Sequence, residues 1–145
     1  MLKRPALLLL LSLACLAACS ETMEDISNDR HYSKYIGLRY EVIGELNAYG
    51  IRHNSKAPVK YITMMPPPGI GGLQVAFPSA IKPGTVITTI KVYKTNRLFD
   101  SDKTLLVSVG DAQLPENIPV RIELFRGNEG HGKLLLNPDV YRQLP

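Results

Sequence analysis

The chain has 145 residues, of which 45% are hydrophobic and 21% are charged. This length suits one domain rather than two, and this composition excludes a chain that is disordered throughout, which would hold fewer apolar residues. The formal net charge is +4, a mildly basic balance. Glycine and proline occur 11 times each, which favours a turn-rich β protein over a helical bundle.

The first residues have the layout of an export signal. Lys3 and Arg4 supply positive charge, and residues 5–18 form an apolar run in which Ser12 is the one clearly polar side chain. This run is shorter than the ~20 residues that cross a bilayer core. It ends in the sequence Leu16-Ala17-Ala18-Cys19, in which an aliphatic residue and two small residues precede a cysteine.

This ending closely resembles the lipobox of bacterial lipoproteins. The resemblance implies that residues 1–18 are a signal peptide, removed before Cys19, and that Cys19 receives a diacylglyceryl group and an N-linked acyl chain such as palmitate. Two or more acyl chains hold a protein stably on a membrane, whereas one holds it only marginally. Because Ser20 stands where aspartate would imply retention in the inner membrane, the expected location is the outer membrane, facing the periplasm.

Residues 19–33 are predicted to be the lipidated N-terminus and a flexible tether. Positions 20–30 hold four acids, one base and few large apolar residues, a composition typical of a solvated spacer. One helical turn is compatible with the sequence around Met23–Ile26. A single β-rich domain is expected over residues 34–145.

Alternating polar and apolar residues predict the first strand of this domain, with one face formed by Leu38, Tyr40, Val42, Leu46 and Ala48. Gly44 interrupts this strand and indicates a bulge or a sharp bend. The other predicted strands are Val59–Met64, Leu73–Phe77, Thr85–Lys94, Leu105–Val109, Val120–Arg126 and Leu134–Leu136. Their core faces are expected to include Val86, Ile90, Val92, Val120, Ile122 and Leu124.

Turn residues separate these strands and complete the prediction of fold class. Asn137 followed by Pro138 predicts a capped terminal turn that packs on the domain. The predicted fold is an all-β small barrel or sandwich of five to seven short strands. The segment Ile81–Ile87, with its Pro83-Gly84 pair, resembles the turn that precedes a strand in SH3-like barrels.

Residues that carry chemistry are sparse, and the sequence predicts no enzyme, cofactor or metal site. His31, His53 and His131 lie in different segments without the spacing of metal ligands. The segment Asp100-Ser101-Asp102 lacks the glycine and glutamate of an EF-hand, so a polar turn is expected. Glu129 and His131 could together supply two metal ligands, but a single pair in a glycine-rich loop is a weak indication of a metal site. A hydrolase remains the weaker alternative, which requires His53 or His131 to meet a carboxylate.

Two segments suggest contact with a partner. The first is a loop that combines adaptable methionines with stiff prolines, formed by Met64, Met65, Pro66, Pro67, Pro68 and Ile70. Its alternative role is a connection across the barrel mouth that buries its methionines. The second is the densest basic stretch, formed by Lys82, Lys91, Lys94, Arg97 and Lys103, whose alternative role is a solvated sheet face.

The function expected from these features is a non-enzymatic envelope lipoprotein whose β domain binds another envelope component, either a protein or the cell wall. Nucleic acid is not an expected partner of an exported, anchored domain. The alternative is an accessory or structural subunit of an envelope assembly, which would carry an exposed apolar patch.

Overall fold

The computed structural model describes residues 21–96, 103–111, 113–124, 130–132 and 134–145. Within this part of the chain lie eleven strands and one short 3-10 helix, Ser33–Tyr35. The strands are β1 (Met23–Asp25), β2 (Arg39–Val42), β3 (Leu46–Arg52), β4 (Val59–Met65), β5 (Val75–Ile81), β6 (Val86–Thr95), β7 (Lys103–Val109), β8 (Val120–Glu123), β9 (Gly130–Gly132), β10 (Leu135–Leu136) and β11 (Tyr141–Gln143).

Nine of these strands form one curled, mixed sheet with the shape of a half-barrel. The strand order is β11-β2-β6-β7-β8-β4-β3-β5, and β1 lies beside β6. Strands β4 and β8 pair in parallel, with Ile62 opposite Val120, and the remaining pairs in the described residues are antiparallel. The all-β prediction is confirmed. The strands outnumber the expected five to seven because several are only two to four residues long.

The core fills the inside of the curl, and much of it follows the predicted alternation. Val42, Leu46 and Ala48 are almost completely buried, as are Ile122 on β8 and Leu124, which directly follows β8. Period-two alternation predicts these positions because successive side chains of a strand point to opposite faces of the sheet.

One predicted core face is wrong, because β6 contains a β-bulge. Thr89 pairs with Val107 but Lys91 pairs with Leu106, so Ile90 is an extra residue on β6. The extra residue reverses the alternation: Ile87 and Val92 are fully buried, whereas Ile90 is 43% exposed. The expectation that Ile90 faces the core with Val92 is therefore corrected.

The predicted first strand is two strands that meet at Gly44. β2 lies between β6 and β11, whereas β3 lies between β4 and β5, so the chain changes position in the sheet here. The N–H groups of Ile43 and Gly44 both donate to the Val140 carbonyl, at 2.8 and 3.2 Å. A Cβ atom on Gly44 would lie 2.4 Å from the Asp139 carbonyl oxygen. Glycine at this corner therefore allows two backbone segments to approach closely.

The segment predicted as a flexible tether joins the sheet from Met23 onward. Met23, Glu24 and Asp25 pair with β6, and the N–H of Ile26 donates to the Val92 carbonyl at 3.0 Å. The helical turn that the sequence allowed around Met23–Ile26 does not form, since Met23–Asp25 is a strand. We call residues 22–27 the N-terminal strap.

The two predicted turns, one at Pro83-Gly84 and one that begins at Asn137, both form. Thr85 N–H donates to the Lys82 carbonyl at 3.1 Å, and Gly84 has a φ of +90°, which glycine adopts without strain. Asn137 caps the terminal turn by accepting the Asp139 N–H at 3.0 Å. This turn packs on the domain and leads into β11, without a helix. The SH3-like resemblance stays a prediction.

Candidate functional site

The predicted partner-binding loop is partly a core element. Met64 lies on β4 and is fully buried, so it cannot touch a partner, and its place in the binding loop is corrected. Met65, Pro66 and Ile70 are half-buried, and only Pro67 and Pro68 of the predicted set are exposed.

The same loop is tied to β3 rather than projecting freely. Gly69 N–H donates to the Pro66 carbonyl at 3.1 Å, and the Pro67–Pro68 peptide is cis. Gly69 lies so close to Tyr49 that a Cβ there would be 1.9 Å from the phenol oxygen. Further along the loop, Arg52 Nε donates to the Leu73 carbonyl at 3.1 Å. The loop therefore lies against β3, and Met64 is buried, as the alternative role predicted for it. Contact of the exposed Pro67 and Pro68 with a partner stays a prediction.

The predicted basic residues do not form one patch. Lys82 lies just before the ten-residue strand β6 and Lys94 lies near its carboxyl end, which puts them about 25 Å apart along the strand. Lys103 is only 6% exposed, and its ammonium lies 5.7 Å from the centre of the Tyr32 ring. Arg97 lies outside the described residues. The patch is therefore corrected to separate cations.

Lys91, the remaining residue of that set, holds the N-terminal strap. Its ammonium lies 2.8 Å from an Asp25 carboxylate oxygen. The hydrogen bond from Lys91, with further ones from Ser27, lowers the pKa of Asp25 to about 2, and Asp25 in turn raises the pKa of Lys91. Both groups are therefore charged at neutral pH. Because the pair is exposed to solvent, it contributes little to the stability of the whole domain, and its effect is to hold the strap against β6.

The histidines do not meet carboxylates in the contacts that the structure shows. Arg30 Nε donates to His31 at 3.3 Å, His53 is exposed, and His131 Nε2 lies 3.1 Å from the amide oxygen of Asn137. Within the described ranges, no three His, Cys, Asp or Glu side chains come together as metal ligands would. The segment 100–102 and Glu129 lie outside the described residues. Among the described residues, the hydrogen bond of His131 goes to an amide and not to a carboxylate, and the hydrolase alternative stays untested.

The structure contains an apolar groove that the sequence did not indicate. The groove has a volume of about 600 Å³ and runs between the β6–β7 pair and the segment that leads into β8. Ile90 and Leu106 contribute from the strands, and Leu114 and Ile118 contribute from the segment, while Ser108, Glu116 and Asn117 add polar groups to the lining. This volume lies within the range of ~300–1,000 Å³ that is usual for binding clefts.

Two local features form the groove. The β-bulge turns Ile90 away from the core, which leaves this isoleucine 43% exposed. On the other wall, Leu114 and Ile118 pack against the core, while Pro115 and Pro119 restrict the backbone around them. One wall of the groove is therefore held by the pairing of β6 with β7, and the other is held by its packing on the core. The spacing of Leu114, Pro115, Ile118 and Pro119 is the one signal that could have indicated this element in the sequence.

A second cavity, of about 290 Å³, lies near the C-terminal turn. Its lining includes Tyr40 and Tyr141, which are only 8% and 4% exposed and belong to the core, beside Leu135, which is 62% exposed. The rings of Tyr40 and Tyr141 pack in the core, and the cavity is smaller than the groove. It therefore offers less surface to a ligand than the groove does.

Comparison of the chain with known protein families, curated proteins and solved structures finds no match. Across the described residues, no helix has the length and apolar character needed to span a membrane.

Proposed function

We propose that this chain is a lipid-anchored envelope protein whose β domain binds a segment of another envelope protein, without catalysis. The observation that carries the binding role is the groove, in which apolar side chains from two elements face solvent together. The lipobox-like sequence that ends at Cys19 supports the anchor.

The chemistry of the groove favours a protein segment over a cell-wall polymer. Ile90, Leu106, Leu114 and Ile118 present hydrocarbon, which gains most when another apolar side chain displaces water from it. Wall polymers are mainly polar sugars and charged peptides, and would gain little there. Complete burial of one such side chain contributes about 1.5–3 kcal/mol, before the cost of association. A groove of this size therefore supports a weak, reversible contact.

A role as an accessory or structural subunit is the second candidate. The observation in its favour is a set of exposed apolar side chains outside the groove: Leu73 is 78% exposed and Leu135 is 62% exposed. A subunit that is surrounded by several neighbours would cover these residues as well as the groove.

The anchor is tested by the intact mass of protein extracted from membranes, with Cys19→Ala as control. We expect the mass of residues 19–145 plus a diacylglyceryl group and an N-acyl chain. The Cys19→Ala protein should lack the lipid and leave the membrane fraction. A cleaved wild-type chain without lipid would contradict the anchor.

The groove is tested by photo-crosslinking in intact cells. A photoreactive amino acid is placed at Ile90 and, as a matched control, at Ile43, which is an isoleucine with almost the same exposed fraction, 42% against 43%. We expect a protease-sensitive product from position 90 and several-fold less from position 43. A second change, Leu106→Asp, should reduce the product because it places charge in the apolar groove. Equal products at both positions, or a product that only cell-wall hydrolases release, would count against a protein partner in the groove.

A further inference from the structure

The strap is bonded to β6 along its whole length. Thr22 N–H donates to Asn96 Oδ1 at 3.2 Å, and Met23 pairs with Thr95. At the other end of the strap, Val92 N–H donates to the Ser27 hydroxyl at 3.0 Å. The chain is therefore part of the folded domain from residue 22, three residues after Cys19.

The length of chain that remains between the anchor and the sheet is short. Three residues separate Cys19 from Met23, and the four Cα-to-Cα steps between them span at most about 14 Å when the chain is fully extended. A folded domain of about 125 residues has a radius of gyration of about 14 Å and a larger outer radius. A link no longer than the domain's own radius prevents free rotation of the domain on its anchor.

The direction of β1 decides which part of the domain lies near the anchor. Strands β1 and β6 are antiparallel, so Met23 lies beside Thr95, at the carboxyl end of β6. We infer that the bilayer that holds the anchor faces this end of the sheet, which we call the anchor pole and define by Lys94, Thr95 and Asn96. This inference rests on the proposed lipidation of Cys19.

The opposite end of the sheet then faces away from the bilayer. It carries the turn at Lys82, just before β6 begins, and the carboxyl end of β7, where Val109 pairs with Ile87. The segment with Leu114 and Ile118 follows β7 at this end, so that wall of the groove lies away from the bilayer. A partner would reach the groove from the side opposite the lipid.

The test compares two matched label sites on lipidated full-length protein in vesicles of phosphatidylethanolamine and phosphatidylglycerol. Lys94→Cys removes an exposed lysine near the carboxyl end of β6, and Lys82→Cys removes one just before β6 begins, about 25 Å away along the strand. Cleavage before Cys19 would remove Cys15, and lipid would block Cys19, so the new thiol alone takes the donor dye. We expect energy transfer to acceptor-labelled headgroups to be several-fold stronger from position 94.

A flexible insertion shows whether the short link causes this difference. About 12 Gly and Ser residues between Ser20 and Glu21 add a root-mean-square length of about 20 Å, which should bring the two transfer efficiencies together. Equal transfer without the insertion, or an unchanged difference with it, would overturn the inference. The mass of the same samples separates this failure from that of the proposed function, because a chain without lipid on Cys19 overturns both.

Discussion

Replacing Ile87 with alanine should lower the free energy of unfolding by about 2–5 kcal/mol, the range for an isoleucine truncated in a packed core. Ile87 is fully buried on β6, where it lies opposite Tyr40 on β2 and Val109 on β7. The change removes buried methyl and methylene groups and leaves a cavity that neighbours on both sides of the strand cannot fill without moving the sheet. Urea unfolding, followed by circular dichroism, measures this loss as a lower midpoint at unchanged slope.

Ile90→Ala is the matched control, because it makes the same chemical change three residues later on the same strand. Ile90 is 43% exposed, so its truncation removes less buried apolar surface than truncation of Ile87 does, and it leaves no enclosed cavity. We expect a loss of about 1 kcal/mol or less. Regular alternation with Ile90 inward would give the opposite order of stabilities. A larger loss for Ile90→Ala than for Ile87→Ala would therefore show that the β-bulge is wrongly placed.

The second large effect is expected from Gly44→Ala. The new methyl group would lie 2.4 Å from the Asp139 carbonyl oxygen and 3.0 Å from Val140 Cα, and both are backbone atoms that cannot rotate aside. Relief of the clash requires the corner and the terminal turn to separate, which strains the bonds from Ile43 and Gly44 to the Val140 carbonyl. We expect a loss of about 3 kcal/mol, the upper part of the range for overpacked sites.

Gly71→Ala provides the control for this substitution. A Cβ at Gly71 meets no atom within 4 Å, and Gly71 is not among the glycines with positive φ. Its replacement should change stability little, or raise it by about 0.4–1 kcal/mol through the unfolded chain. Thermal unfolding of the two variants should therefore differ by about 10 °C or more. Similar melting temperatures would contradict the close approach at Gly44.

The sequence predicted the features of the fold that depend on local pattern. Alternation identified Val42, Leu46 and Ile122 as core residues, because an exposed strand face and a buried one demand different side chains. Pro83-Gly84 identified a turn, because proline and glycine prefer the backbone angles that the turn requires.

The features that depend on partners distant in the chain were not predictable. The β-bulge at Ile90 arises from the register of β6 against β7, and a shift of one residue reverses every side chain beyond it. The polar strap became a strand because β6 offered it a free edge, although its composition is typical of a spacer. The groove combines these long-range effects with a second element, so no single stretch of sequence contains its signal.

The basic stretch shows the same limit for the candidate site. Lys82 and Lys94 are close in sequence, but an extended strand carries them to opposite ends of the sheet. Lys103 is buried beside Tyr32, a residue about seventy positions earlier. Proximity in sequence therefore predicts a shared surface only where the chain turns, not along a strand.

The pairing of β11 with β2 sets the order in which the chain can fold. Glu41 and Arg142 are 101 residues apart and form an ion pair across these strands, and Leu144 N–H donates to the Arg39 carbonyl. Contacts between such distant residues form slowly, because the intervening chain must first lose its freedom. If the chain is exported from its first residue to its last and lipidated on Cys19 as proposed, β2 would wait for its partner after the anchor had formed. During that interval β2 presents an unpaired edge that can pair with other chains, and binding by a chaperone at this stage would protect it.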